Sequence, residues 1–208
     1  MMTGILDIVY SSARLYRDNL LNRYVLFVPV GHEPVEVYHR AENFRHLTGF
    51  SYPGDARDFL IRALERRLNA DLLVPNHGER VMSMKTRALP LMMNVDRYGS
   101  YIIEHPSFPD RTYADVACGN QNRVIGYAGS GLYTPRTILE ADLSLAPGRA
   151  GIAVILKTEP HSATYTLLTK NKTPRDPDRA EKRRHGIRTT LSRYPQPDRL
   201  NGFLDYDF

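Results

Sequence analysis

Two hydrophobic periods divide this chain of 208 residues. After Asp55, the residues Leu60, Leu64, Leu68 and Leu72 recur every four positions, the repeat of one helical face. From Ser100 onward, short runs rich in Ile, Val, Tyr and Thr take over: Ser100–Glu104, Tyr113–Ala117, Arg123–Ala128, Gly151–Thr158 and Thr164–Thr169. Turns fall at Gly119–Asn122 and Glu159–Ala163. Helices followed by such strands define an α+β class, with N-terminal helices packed on a twisted, mainly antiparallel β-sheet. A first helix is expected over Ile5–Leu21, and a hairpin joins Tyr24–Val30 to Val35–Arg40. Glu79–Met93 reads as helical, with Pro90 kinking or ending it. Tyr133–Asp142 reads as a short strand or helix, since Pro135 argues against a central strand.

The stretch Val35–Phe50 changes period within itself. Val35 and Val37 alternate with Glu36 and Tyr38, as in a half-buried strand. Phe44, Leu47 and Phe50 are then spaced by three, which suits a short helical turn ending at Gly49. Asn43 is the expected cap of that turn. The corner projects His46, while His39 shares the strand face of Val35 and Val37. A histidine in such a corner serves either as a hydrogen-bonded structural group or as a titrating catalytic one.

The run Arg40-Ala-Glu-Asn-Phe-Arg-His-Leu-Thr-Gly resembles a motif of the phage Barnase–EndoU–colicin E5/D–RelE-like nucleases, in their small stand-alone prophage and mobile-element branch. Asp115-Val-Ala-Cys-Gly-Asn, Ile125-Gly-Tyr and Tyr133-Thr-Pro-Arg-Thr-Ile-Leu fit the same family in order and spacing, with Lys85 as a weaker match between them. The resemblance covers roughly Leu15 to Lys170. It implies a ribonuclease fold, with helices on a twisted sheet, and a toxin-like RNA-cleaving activity.

Charge is unevenly distributed. The formal net charge is +5, and Lys170–Phe208 carries ten Lys or Arg against six Asp or Glu. With Pro174, Pro177, Pro195 and Pro197 and few apolar residues before Leu200, residues 171–208 are expected to form a basic, partly disordered tail on a single domain of residues 1–170. Such a tail acts either as an arm for the phosphate backbone or as a solvated appendage. The single cysteine, Cys118, excludes an intramolecular disulfide and fits a cytoplasmic setting. No apolar run approaches the ~18 residues of a membrane span.

The seven histidines form no His-x-x-x-His pair, and no Walker loop or seryl nucleophile signature occurs. Neither metal nor other cofactor is therefore expected. RNA cleavage by 2′-OH attack needs only a base, an acid and a cation or donor for the phosphorane. The catalytic candidates are His46 as acid or base, Lys85 and Arg87 as phosphate stabilisers, and Tyr165 and Thr166 as hydrogen-bonding groups on the last strand. Asn43, Asn120 and Arg123 are substrate-binding candidates. The expected partners are RNA, tRNA and mRNA included, and an immunity or host protein, with no membrane. Two alternatives stand beside this reading: an inactive module that binds RNA or a host protein, and a nucleotidyl or ADP-ribosyl transfer enzyme.

Overall fold

In the computed structural model, residues 2–106, 113–171, 176–206 and 208 are described. The chain runs α1 (Met2–Asn19), β1 (Tyr24–Pro29), β2 (Val35–Tyr38), α2 (Ala41–Thr48), β3 (Phe50–Ser51), α3 (Ala56–Leu64), β4 (Val74–Pro75), α4 (Glu79–Met92) and α5 (Val95–Tyr98). There follow β5 (Tyr101–Glu104), β6 (Val116–Gly119), β7 (Val124–Ser130), β8 (Leu132–Leu139), β9 (Ala150–Thr158), β10 (Tyr165–Asn171) and α6 (Pro177–Ser192). The expected α+β class holds.

The main sheet has the order β1-β2-β8-β7-β6-β5-β9-β10, and β9 also pairs with β1. Seven strands therefore close into a ring, with β10 hydrogen-bonded to β9 beside it. All the ring pairings are antiparallel except β2–β8, where Glu36 lies opposite Leu132 and Val37 opposite Tyr133. The N-terminal hairpin is thus part of the sheet that the late strands were expected to dominate.

Several expectations need correction. The helix begun at Asp55, whose carboxylate caps it by accepting from Asp58 N–H, ends at Leu64 rather than running to Leu72. Arg66 then takes a left-handed φ of 58°, and a 3-10 turn follows at Ala70–Leu72. Pro90 lies inside α4 without ending it, because the helix stops two residues later. Tyr133–Leu139 is a central strand despite Pro135. The β7–β8 register passes from Tyr127↔Pro135 to Gly126↔Thr137, so Arg136 is the extra residue of a bulge. That bulge accommodates a residue with no N–H to give.

Apolar layers bury the ring strands, and Ile103, Ala117, Val124 and Leu139, joined by Leu143, add a smaller cluster on β5 to β8. On one side α1, α2, α3 and α4 cover Val25, Phe27, Val37, Ile125, Tyr127 and Ile155. On the other, α6 and the residues after it cover Leu26, Val28, Val154 and Leu156 with Ile187, Leu191, Leu200, Phe203 and Phe208. Residues 172–175 and 207 of the expected tail lie outside the described residues. The described part of the C-terminal segment is packed rather than loosely attached. Its second anchor is polar: the buried Glu36 carboxylate accepts from the Tyr165 hydroxyl, from the Tyr194 hydroxyl at 2.6 Å, and from Arg199 Nη1 at 2.7 Å. The apolar residues of the tail are few but spaced to reach one face of β1 and β9.

Inside the helical layer, Lys157 pairs with Asp96 and donates to the Asn19 carbonyl at 3.1 Å, tying α1, α5 and β9. His39 is fully buried between Tyr16 and Tyr127, and neither ring nitrogen has a hydrogen-bond partner among the described residues. Burial, with the charge of Lys157 second, lowers its pKa to about 3.

Two outcomes follow. Truncation after Asn171 removes the buried side chains of Ile187, Leu191, Tyr194, Leu200, Phe203 and Phe208. Each contributes about 1.5–3 kcal/mol, a total comparable with the stability of a whole domain. Thermal melting should show the truncated chain unfolded or aggregated; a cooperative melt near the parent midpoint would contradict the packed segment. His39 is neutral when folded and protonates below about pH 6.5 when unfolded, so its contribution is complete above that pH and is lost as pH falls toward 3. Urea unfolding of His39→Leu against the parent should show a shallower decline over that window, by up to about 1.4 kcal/mol per pH unit.

Candidate active site

Helix α2 follows β2 after two residues and is braced at both ends. At its start the Tyr16 hydroxyl donates to the Arg40 carbonyl at 2.7 Å. Asn43 is not the cap residue. It sits at the third helical position, and its Oδ1 reaches back to accept from Arg40 N–H at 2.8 Å. At its end the Thr48 hydroxyl donates to the Arg45 carbonyl and accepts from Phe50 N–H. Phe44 and Leu47 are fully buried, with Phe44 against Tyr16 and Phe59. His46 points away from that face and is exposed.

The exposed side of α2 meets the bulged part of β8. Asn43 Nδ2 donates to the Pro135 carbonyl at 3.3 Å. Arg136, the bulged residue, is exposed nearby. Partial burial first, then the positive charges of Arg136 and Arg45, hold the His46 imidazole below its ordinary pKa. Its neutral form therefore persists to lower pH than that of a free imidazole, as a base requires.

Lys85 reaches β8 from α4. The side chain is only 3% exposed, and Nζ donates to Thr137 Oγ1 at 2.9 Å. Its stem passes beneath the end of α2: a Cβ on Gly49 would stand 2.8 Å from Lys85 Cδ. Gly49 is required twice, for this approach and for its φ of 78°. Lys85 shares an apolar helical stripe, and its head is drawn inward to a strand hydroxyl rather than snorkelling to water. Arg87, one half-turn on, is exposed and donates to Ser83 Oγ and to Glu140 at 3.0 Å, so a carboxylate already balances it.

The remaining candidates lie elsewhere. Tyr165, on β10, is buried with its hydroxyl committed to Glu36, and its neighbour Thr166 is exposed on the same strand. Neither meets the α2–α4–β8 grouping, because β10 joins the sheet through β9, away from β8. Asn120 builds the β6–β7 turn by accepting from Asn122 and Arg123 N–H. That turn borders a cleft of about 480 Å³ with Ser100 and Tyr101, which shares no lining residue with the His46 grouping. Arg136 and Thr137 were not singled out from the sequence, although both stand in the motif Tyr133–Leu139. Their signal was the proline: a Pro in a central strand implies a bulge, and bulges re-aim side chains.

Among the described residues, no group of three or more His, Cys, Asp or Glu gathers as a metal site would need. Cys118 is buried on β6, and burial pushes its thiol far above the ordinary range, leaving it inert. No helix among the described residues is long and apolar enough to cross a membrane.

The family model described as phage-Barnase-EndoU-ColicinE5/D-RelE like nuclease4 matches residues 8–173 of the chain. Neither the curated proteins nor the solved structures contain a match.

The His46 environment makes a titration testable. The midpoint of its ring, followed by NMR, should lie below 6.5 in the parent. Arg136→Gln removes a like charge and should raise it. A parent midpoint at or above that of a free imidazole would place His46 away from both arginines.

Proposed function

The chain belongs to the phage-Barnase-EndoU-ColicinE5/D-RelE like nuclease4 family, and from that premise we propose that it is a metal-independent endoribonuclease. The observation that supports this reading is that exposed His46 on α2 feels the charge of Arg136 on β8, while Lys85 from α4 donates to the next residue of that strand, Thr137. A neutral imidazole lies within the field of an exposed guanidinium, and a buried ammonium is held on the hydroxyl of the following strand residue. They supply the base and the charge stabilisation that phosphodiester cleavage by an internal nucleophile requires, and leave the acid to water.

In the proposed reaction, His46 takes the proton of the ribose 2′-OH. The 2′-oxygen bonds to phosphorus, and the bond from phosphorus to the 5′-oxygen breaks. Water supplies the proton to the leaving 5′-oxygen, giving a 2′,3′-cyclic phosphate and a 5′-hydroxyl. Arg136 stabilises the charge that accumulates on the phosphorane oxygens. Lys85 acts from beneath: its ammonium holds the Thr137 hydroxyl and adds positive potential in a dry setting, where charge is weakly screened. Arg87 contributes less field, since Glu140 offsets it. RNA as substrate, a phage origin and a cytoplasmic place of action belong to this proposal.

The test is incubation of the purified chain with total RNA, with and without EDTA, followed by end-group analysis. Cyclic phosphate ends formed equally in both arms are expected. His46→Ala should slow cleavage by roughly 10²–10⁴-fold while the thermal midpoint moves little, since the ring is exposed. Lys85→Met should lower turnover while preserving the stem beneath Gly49. Full specific activity in folded His46→Ala would put the active site elsewhere.

A further inference from the structure

We infer that the cleft at the start of α2 is a binding subsite for one nucleotide of a single-stranded RNA, next to the scissile position; this rests on the proposed ribonuclease reading. The cleft measures about 610 Å³ and lies among the end of α1, the end of β2, α2 and α3. Tyr38, Arg40, Glu42, Arg57 and His161 all line it.

Each part suits a nucleotide. Tyr38 is half-buried, backed by Tyr24 at a ring-centroid distance of 4.4 Å, and its remaining surface borders the cleft. An aromatic ring so supported is a stacking platform that accepts any base. The Arg40 guanidinium lies 5.7 Å from the Tyr38 ring centroid. Arg40 and Arg57 are exposed, and neither has a carboxylate partner among the described residues. Two unmatched guanidiniums bordering one cleft fit a phosphate. Glu42, on the rim, disfavours a second phosphate there and offers an acceptor to base amino groups.

The cleft is also rigid and correctly placed. Asn22 and His161 both have left-handed backbone, with φ of 56° and 60°. They are locked together by His161 N–H donating to the Asn22 carbonyl at 2.8 Å and by a side-chain contact of 3.1 Å. Glu42 lines the cleft, and His46 follows it by four residues, one helical turn or roughly 6 Å along the same face of α2. A strand seated on Tyr38 and Arg40 therefore runs along α2 toward His46 and Arg136.

The test uses the full chain and a 2′-O-methyl hexaribonucleotide, which binds without being cut, beside a cleavage assay on the unmodified oligonucleotide. Arg40→Ala with Arg57→Ala should weaken binding by about tenfold and flatten the salt dependence by roughly 0.7 for each phosphate no longer neutralised. Tyr38→Leu should weaken binding by roughly tenfold with little change in that salt dependence. In cleavage, all three substitutions should raise KM more than they lower kcat. Arg62→Ala, on α3 but outside the cleft lining, should bind like the parent. Equal weakening in Arg62→Ala, or parental binding by the Arg40 and Arg57 variant at an unchanged melting midpoint, overturns the subsite. Failure of the parent to bind the hexanucleotide overturns it too. A parent that binds through these residues yet cuts no RNA would uphold the subsite and refute the nuclease reading. Cleavage that is indifferent to them would do the reverse.

Discussion

The parallel pairing of β2 with β8 sets the geometry on which the site depends. Only two residue pairs form it, Glu36 with Leu132 and Val37 with Tyr133. Because the strands run the same way, the chain leaving β2 continues alongside the later residues of β8. Helix α2 must therefore begin near Pro135 and extend past Arg136 and Thr137. An antiparallel pairing would send α2 toward the β7–β8 turn instead. The pairing is also what closes the ring, since β1 is joined to β9 on its other edge. A closed sheet has no free edge there to slip, so register errors that would invert every side chain are blocked.

Around that seam the electrostatics are arranged by depth. The bulge turns Arg136 outward, where its charge disfavours protonation of His46 and no carboxylate among the described residues pairs with it. Lys85 lies deeper, with its ammonium on the Thr137 hydroxyl and its stem filling the space that a glycine leaves. A buried ammonium is costly without partners, and its position at the carbonyl end of α2 favours a cation. The same lysine therefore pins α4 to β8. Gly49 makes this possible, which gives a physical reason for the glycine that closes the His46 motif.

How much of this was legible in the sequence depended on whether the signal was local. The strand-to-helix corner at Val35–Phe50 was readable because alternation, then three-residue spacing, then a glycine all lie within sixteen residues. His46 and Lys85 were picked from motif and helical spacing, and the fold brings their elements together. A last strand often carries function, which points to Tyr165 and Thr166, but sheet order depends on distant pairings that periodicity does not encode. Arg136 was hidden by reading Pro135 as a strand breaker rather than as the mark of a bulge. The high charge of the C-terminal segment masks the few apolar residues that pack it. Most of the charge on α6 faces water, with Arg183 turned in to the Ala153 carbonyl, while Ile187 and Leu191 reach the far face of β1 and β9.

That segment bears on the site through β2. Val37 faces the helical layer, whereas Glu36 faces outward as a buried carboxylate. A carboxylate there is tolerable only with donors, and removal of the partners of a buried charge typically costs about 3–5 kcal/mol. Tyr165 is one donor; the other two, Tyr194 and Arg199, come from beyond residue 173, where the family match ends. Arg199 is held between the Tyr24 and Tyr165 rings, at 4.2 and 5.3 Å from their centroids, so its charge is stabilised by faces as well as by Glu36. The strand that aims α2 is thereby clamped on its outer side by residues outside the matched region. Loosening that clamp would free Glu36 to seek water, weaken the two-residue β2–β8 seam, and let His46 drift from Arg136. The C-terminal segment is thus coupled to the site through one strand and one carboxylate, without touching the site itself.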